Sequence, residues 1–127
     1  MFEIGQRVWI RAEVVTRLEE YGESWELIHR PAMPQYPGYS PKAPKSLYRR
    51  RLTPEPLGII AGQTVRATGI MDFSMNEDEQ SFLDPDKWHR VWKVIVLPRV
   101  GSKDTRWREP ILALEEDIEI EEEANDN

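Results

Sequence analysis

Trp88-His89-Arg90-Val91-Trp92-Lys93-Val94-Ile95-Val96-Leu97 sets the fold class. Its last four residues, Val94 to Leu97, are apolar at every position, and a short apolar run rich in aromatic and β-branched residues reads as a strand covered on both faces. Pro98 stops it, because a proline has no N–H to give a neighbouring strand. A strand of that kind lies centrally, so its partners have to be found on either side of it in the chain.

Upstream, Leu57-Gly58-Ile59-Ile60-Ala61-Gly62 and Thr64-Val65-Arg66-Ala67-Thr68-Gly69-Ile70 carry strand signals, with Gly58, Gly62 and Gly69 suited to turns, bulges or close backbone approach. Residues 72–87 form an acidic insertion in which Asp84-Pro85 fits the first turn of a short helix. Downstream, Pro98 to Glu109 is a polar turn, and Ile111-Leu112-Ala113-Leu114 is a last strand or the start of a helix. At the N-terminal end, Ile4-Gly5-Gln6-Arg7-Val8-Trp9-Ile10 is a glycine-marked strand. Val14–Leu18 and Trp25–Ile28 flank a polar segment containing Gly22, which is a hairpin signal. A helix over 11–20 also fits Val14, Val15 and Leu18, but the Val, Ile, Thr and Trp content favours strands.

Leu47–Leu52 is a further strand, and before it residues 31–46 form a long Pro/Tyr-rich loop, since prolines cannot serve a sheet interior. Short strands, Gly/Pro punctuation and the lack of a long amphipathic pattern together indicate an all-β fold, a small barrel or sandwich, over residues 1–114. An acidic tail, expected to be disordered, follows over 115–127, with a brief strand or helix extension as the alternative where Ile118 and Ile120 alternate with acids.

The start at Ile4–Trp9, the middle at Leu57–Gly62 and the end at Pro110-Ile111-Leu112-Ala113-Leu114-Glu115-Glu116-Asp117-Ile118 resemble elements of an SH3-like barrel, the last as its final strand and short helical turn. Similar pieces occur in small barrel proteins of phages and mobile elements. The resemblance implies a mainly β, SH3-like fold and an accessory, phage-like binding protein. The Pro/Tyr loop and the acidic insertion depart from a minimal barrel, so no family function is carried over.

The chain has 127 residues, 39% apolar and 31% charged, with mean hydropathy −0.63, which suits one globular domain. It has no cysteine, which excludes disulfides and thiolate metal sites and suits a cytoplasmic location. Its apolar runs are too short for a membrane span. Net charge is −6, but unevenly spread: residues 1–71 hold ten bases and seven acids, and residues 72–127 hold seven bases and sixteen acids. From Leu27 to Pro54 there is no acid at all, while Glu115–Asn127 has eight acids and no base.

That cationic stretch is the candidate binding segment. Arg30, Lys42, Lys45, Arg49, Arg50 and Arg51 supply charge, and Tyr36, Tyr39 and Tyr48 supply stacking or contact area. On a strand Arg49 and Arg51 share one face and Arg50 takes the other. Pro31, Pro34 and Pro37, then Pro41 and Pro44, also have polyproline spacing, as a ligand or a stiff connector. The acidic tail is a solubilising end, a cover for the basic segment, or a phosphate mimic aimed at a basic partner.

Asp72, Glu77, Asp78, Glu79, Asp84 and Asp86, with His89, lack the rhythm and turn glycine of a calcium loop, so no metal is expected. His29 and His89 are the chain's two histidines, and without a nucleophile motif or phosphate-cradling loop no catalytic residue or cofactor is assigned. Trp9 and Trp92 read as packing residues, Trp88 shares the strand face of Trp92, and Trp25 and Trp107 border loops as candidate anchors. The expectation is a non-enzymatic adaptor for a protein partner. A nucleic-acid-binding accessory protein with an autoinhibitory tail, or an acidic decoy for a nucleic-acid enzyme, are the alternatives.

Overall fold

The computed structural model describes residues 1–18, 24–34, 41–73, 81–98 and 109–122. They form a mainly β structure with no α-helix among the described residues. The strands are β1 (Arg7–Ile10), β2 (Ala12–Arg17), β3 (Glu26–His29), β4 (Lys42–Arg51), β5 (Leu57–Asp72), β6 (Phe82–Val96), β7 (Ile111–Ala113) and β8 (Ile118–Ile120), with a 3-10 turn at Glu115–Asp117. They build one eight-stranded sheet in the order β2-β4-β5-β1-β8, with β3 against β4 and β6 against both β5 and β7. Among the described residues no helix is long and apolar enough to cross a membrane. The chain divides into two compact units: Met1–Val14, Arg50–Thr64 and Arg90–Asn127 in the first, Val15–Arg49 and Val65–His89 in the second.

In the first unit β1 pairs antiparallel with β5 (Arg7↔Ile59, Val8↔Gly58, Trp9↔Leu57) and on its other side with β8 (Val8↔Ile120, Ile10↔Ile118). Strand alternation turns Val8 and Ile10 inward and Arg7 and Trp9 outward. Val8 and Ile10 join Ile60, Trp92, Val94, Ala113 and Ile118 in the core, and Phe2 meets Trp92 edge to face at 5.3 Å. Each fully buried aliphatic side chain here contributes about 1.5–3 kcal/mol relative to exposure. A one-residue slip of β1 would put Trp9 inside and both aliphatics outside, so this burial also fixes the register.

In the second unit β3 pairs with β4 (Glu26↔Arg49, Leu27↔Tyr48, His29↔Leu47), with a register break between Leu27 and His29. β4 pairs with β5 through Lys42↔Asp72, Ala43↔Met71, Pro44↔Ile70 and Lys45↔Gly69. Ser46, Leu47 and Tyr48 are buried in succession, so both faces of β4 are covered there.

β6 has strand neighbours on both sides, as its apolar run predicts, and the segment at 14–17 is a strand rather than a helix. Four expectations are corrected. The loop placed over 31–46 ends early, because β4 starts at Lys42 with Pro44 in its ladder; a proline is tolerated where its nitrogen faces away from the partner strand. The insertion placed at 72–87 is largely strand at its C-terminal end, with Asp84-Pro85 inside β6 instead of opening a helix. Val14–Leu18 and Trp25–Ile28 do not form a hairpin, since β2 and β3 each pair with β4, whose ten residues offer both of them a ladder. The tail expected to be disordered from Glu115 supplies the 3-10 turn and β8, because Ile118 enters the core and its neighbours find backbone partners. Arg11 N–H donates to the Asp117 carbonyl at 2.8 Å, and Glu121 N–H donates to that of Arg7 at 3.1 Å.

Candidate functional site

The outward turn of Trp9 opens a cleft in the first unit. Its walls come from three places: the end of β5 at Leu57, the connection Leu52-Thr53-Pro54-Glu55-Pro56 before it, and Val96-Leu97-Pro98 leaving β6. Ile111 of β7 adds apolar floor. Backbone bonds hold these pieces in place: Leu52 N–H donates to the Arg11 carbonyl (2.8 Å), Ile10 N–H to that of Pro56 (3.0 Å) and Leu97 N–H to that of Leu57 (2.9 Å). The connection is thus tied to β1 and β5 to the exit of β6, leaving proline rings and aliphatic side chains to face the opening.

The cleft has a volume of about 900 Å³, at the upper end of what small-ligand sites enclose. Trp9 is 39% exposed at its wall. Arg7, Glu13, Arg50, Glu55 and Glu109 form a rim of mixed sign. Two of these cations are already matched: Arg50 bonds Glu13, and Arg7 Nε lies 3.4 Å from Glu121 Oε2. An apolar floor with internally compensated charge suits an extended polypeptide segment with apolar or proline side chains.

The residues expected to form one cationic patch belong to both units. Arg50 and Arg51 belong to the first unit, whereas Arg30, Lys42, Lys45, Tyr48 and Arg49 belong to the second. Arg50 lines the cleft, and Arg51 is exposed. In the second unit Arg49 Nε lies 3.5 Å from Glu26 Oε2, its register partner on β3, and Lys42 Nζ lies 3.1 Å from Asp72 Oδ2 across the β4–β5 pair. Lys45 is half-buried opposite Gly69, and Arg30 is exposed beyond the end of β3. Tyr48, only 3% exposed, is a packing residue, so its ring is withdrawn from any ligand. Tyr36 and Tyr39 lie outside the described residues, as do Trp107 and Glu77–Glu79 of the acidic set. Among the described residues no group of three or more acids and histidines is placed to hold a metal ion.

The acidic end meets different bases from the ones expected. Glu119 Oε2 accepts from Arg11 at 2.8 Å, Glu121 sits against Arg7, and Glu115 lies 3.8 Å from the N-terminal amine. These contacts follow from the β1–β8 pairing, which sets the two ends of the chain side by side.

Reading from residues alone missed Trp9 as a surface group. The signal was present in the alternation of Val8-Trp9-Ile10, where two β-branched residues claim the core and leave the aromatic outside. Trp88 also departs from expectation: it is 63% exposed whereas Trp92, four residues on, is 6% exposed. Strand parity says which residues share a face, but not which part of that face another layer covers. Trp25 is half-buried. The chain matches no family model, and neither the curated proteins nor the solved structures offer a significant match.

Proposed function

We propose that this chain is a non-enzymatic binding module, an SH3-like barrel in fold, whose first unit takes an extended, largely apolar segment of a partner protein in the cleft beside Trp9. A β1 entered after Gly5 and a β7–3-10–β8 ending favour the barrel reading. The observation that carries the binding reading is Trp9 itself, held outward by the burial of both its neighbours at the wall of a cleft of about 900 Å³ lined with prolines and aliphatics. Arg50 contributes at the rim, where its bond to Glu13 keeps the guanidinium oriented and leaves it 44% exposed. Tryptophan and arginine are the residue types that dominate interface energies when they sit at the centre of a desolvated patch.

A phosphate backbone is a poorer occupant. Arg49, Arg50 and Lys42 each have a carboxylate already, and a bound phosphate would leave that carboxylate unpaired beside it.

The test is affinity purification of the intact chain from nuclease-treated lysate, alongside the Trp9→Ala and Arg51→Ala variants. A stoichiometric protein partner is expected with wild type and Arg51→Ala. Trp9→Ala should weaken it by about 2 kcal/mol, roughly thirtyfold in Kd by titration. Undiminished binding by a folded Trp9→Ala variant, or recovery that nuclease abolishes, would overturn the reading.

A further inference from the structure

Both histidines of the chain lie in the second unit and lead to one carboxylate, His29 directly and His89 through a threonine hydroxyl. His29 Nε2, on β3, is 2.9 Å from Asp86 Oδ2 on β6. Thr68 Oγ1, on β5, is 2.8 Å from Asp86 Oδ1, and His89 Nε2, on β6, is 2.9 Å from that same hydroxyl. An ionised carboxylate only accepts, so the direction of every bond is determined. His29 donates to Asp86, Thr68 places its single proton on Asp86, and His89 must donate from Nε2 to the Thr68 lone pair. Asp86 therefore terminates a chain of donors that begins on each imidazole, and the two rings stand 5.3 Å apart.

β3 brings His29, β6 brings Asp86, Lys87 and His89, β5 brings the neutral Thr68, and β4 brings Leu47 opposite His29. One carboxylate balances one imidazolium. A second finds Lys87 and the first ring facing it, with Thr68 fully buried at the centre. We propose that this network is an acid-opened latch of the second unit, closed while Asp86 serves at most one imidazolium and released when both rings are protonated.

β3 is the element it releases. That strand has four residues, its ladder to β4 is broken between Leu27 and His29, and His29 ties it to β6. Short strands with interrupted ladders are where local opening begins. Burial first, then the charges of His29 and Lys87, hold the His89 imidazole below its ordinary 6.5, and Asp86 offsets them only in part. Burial pushes the Asp86 carboxyl up, but hydrogen bonds from His29 and Thr68 outweigh it and leave the group below its ordinary 3.8. Both shifts act in one direction. The unfolded chain binds the proton more readily, so His89 stabilises the fold above pH 6.5 and that contribution is lost as pH falls to its folded value. Asp86 adds a second loss, beginning below about 3.8.

The latch is independent of the cleft and is tested on the whole chain by two measurements. The first is an NMR titration of the two imidazole Hε1 signals. The second is amide exchange across Glu26–His29 from about pH 7.5 to about pH 5, corrected for intrinsic rates. The His89 midpoint should lie below that of a free histidine and rise in His29→Gln. Exchange across β3 should accelerate on acidification by up to about tenfold per pH unit, the limit for one differential proton, and His29→Gln should shrink that response. His89→Gln should do the same, and if burial keeps that variant from folding, the partly exposed His29 position carries the test. A His89 midpoint that ignores His29→Gln, or β3 exchange that is flat with pH in wild type, would overturn the latch.

Discussion

A Cβ built on Gly58 would lie 2.5 Å from Val94 Cγ1, 2.9 Å from the Ile95 carbonyl oxygen and 3.0 Å from Ile10 Cδ1. Two of these atoms are in packed core side chains and one is backbone, so the strands on either side have to separate before a methyl group fits. Gly58 also stands opposite Val8 in the β1–β5 register, at a point where β5 is pressed against β6. Gly58→Ala should therefore cost about 1–3 kcal/mol, the usual price of overpacking, read as a lower denaturation midpoint with unchanged m-value. Gly62→Ala is the internal control, because nothing lies within 4 Å of its added methyl, and it should change stability little. Equal losses at both positions would mean that backbone freedom, rather than packing, is what Gly58 provides. The two glycines look alike in the sequence; which one is pressed against a neighbour depends on a partner strand more than thirty residues away.

At the scale of elements the same distinction separates what was legible from what was not. β6 could be read because its signal is local: four apolar residues in a row cannot face water on either side of a sheet. β8 was read as tail, with a brief strand only as the alternative, because its acids dominate locally, and only pairing with β1 reveals that Ile118 and Ile120 have different fates. Ile118 is 8% exposed and belongs to the core, while Ile120 is 44% exposed. Ile118→Ala should cost about 2–5 kcal/mol in chemical unfolding, and Ile120→Ala less than about 1 kcal/mol. Similar small effects at both positions would return the segment to the status of a tail. β4 was cut short for a related reason: Pro44 argues against a strand by itself, yet one missing donor is tolerated among the paired residues Lys42 to Lys45. The cleft was legible in fragments, with Arg50 singled out for its charge and Trp9 placed by alternation. The wall at Leu52–Pro56 was invisible because it depends on two backbone bonds, to Arg11 and Ile10, formed with residues far back in the chain.

For the whole molecule, the uneven charge along the chain is drawn, among the described residues, into pairs of opposite sign. The acid-rich end reaches Arg7 and Arg11 of β1, Glu13 of β2 takes Arg50, Glu26 of β3 takes Arg49, and Asp72 of β5 takes Lys42. Exposed pairs of this kind add little stability, about 1 kcal/mol at most in partly covered geometry, but they determine what field a distant ligand meets. A polyanion approaching Arg49 or Arg50 meets the partner carboxylate as well, in a chain whose net charge is already −6. Binding to single- or double-stranded nucleic acid, measured by fluorescence anisotropy from about 50 mM to 200 mM salt, should therefore be weak. The slope of log K against log salt should correspond to no more than about two phosphate contacts. Glu13→Gln and Glu26→Gln together would remove one carboxylate from each of two arginines, and should raise nucleic-acid affinity at low salt and steepen the slope, by about two units at most. A wild-type slope that already reports six or more contacts would place a cationic track where the folded chain has matched pairs, and the protein-partner reading of the cleft would give way to a nucleic-acid one.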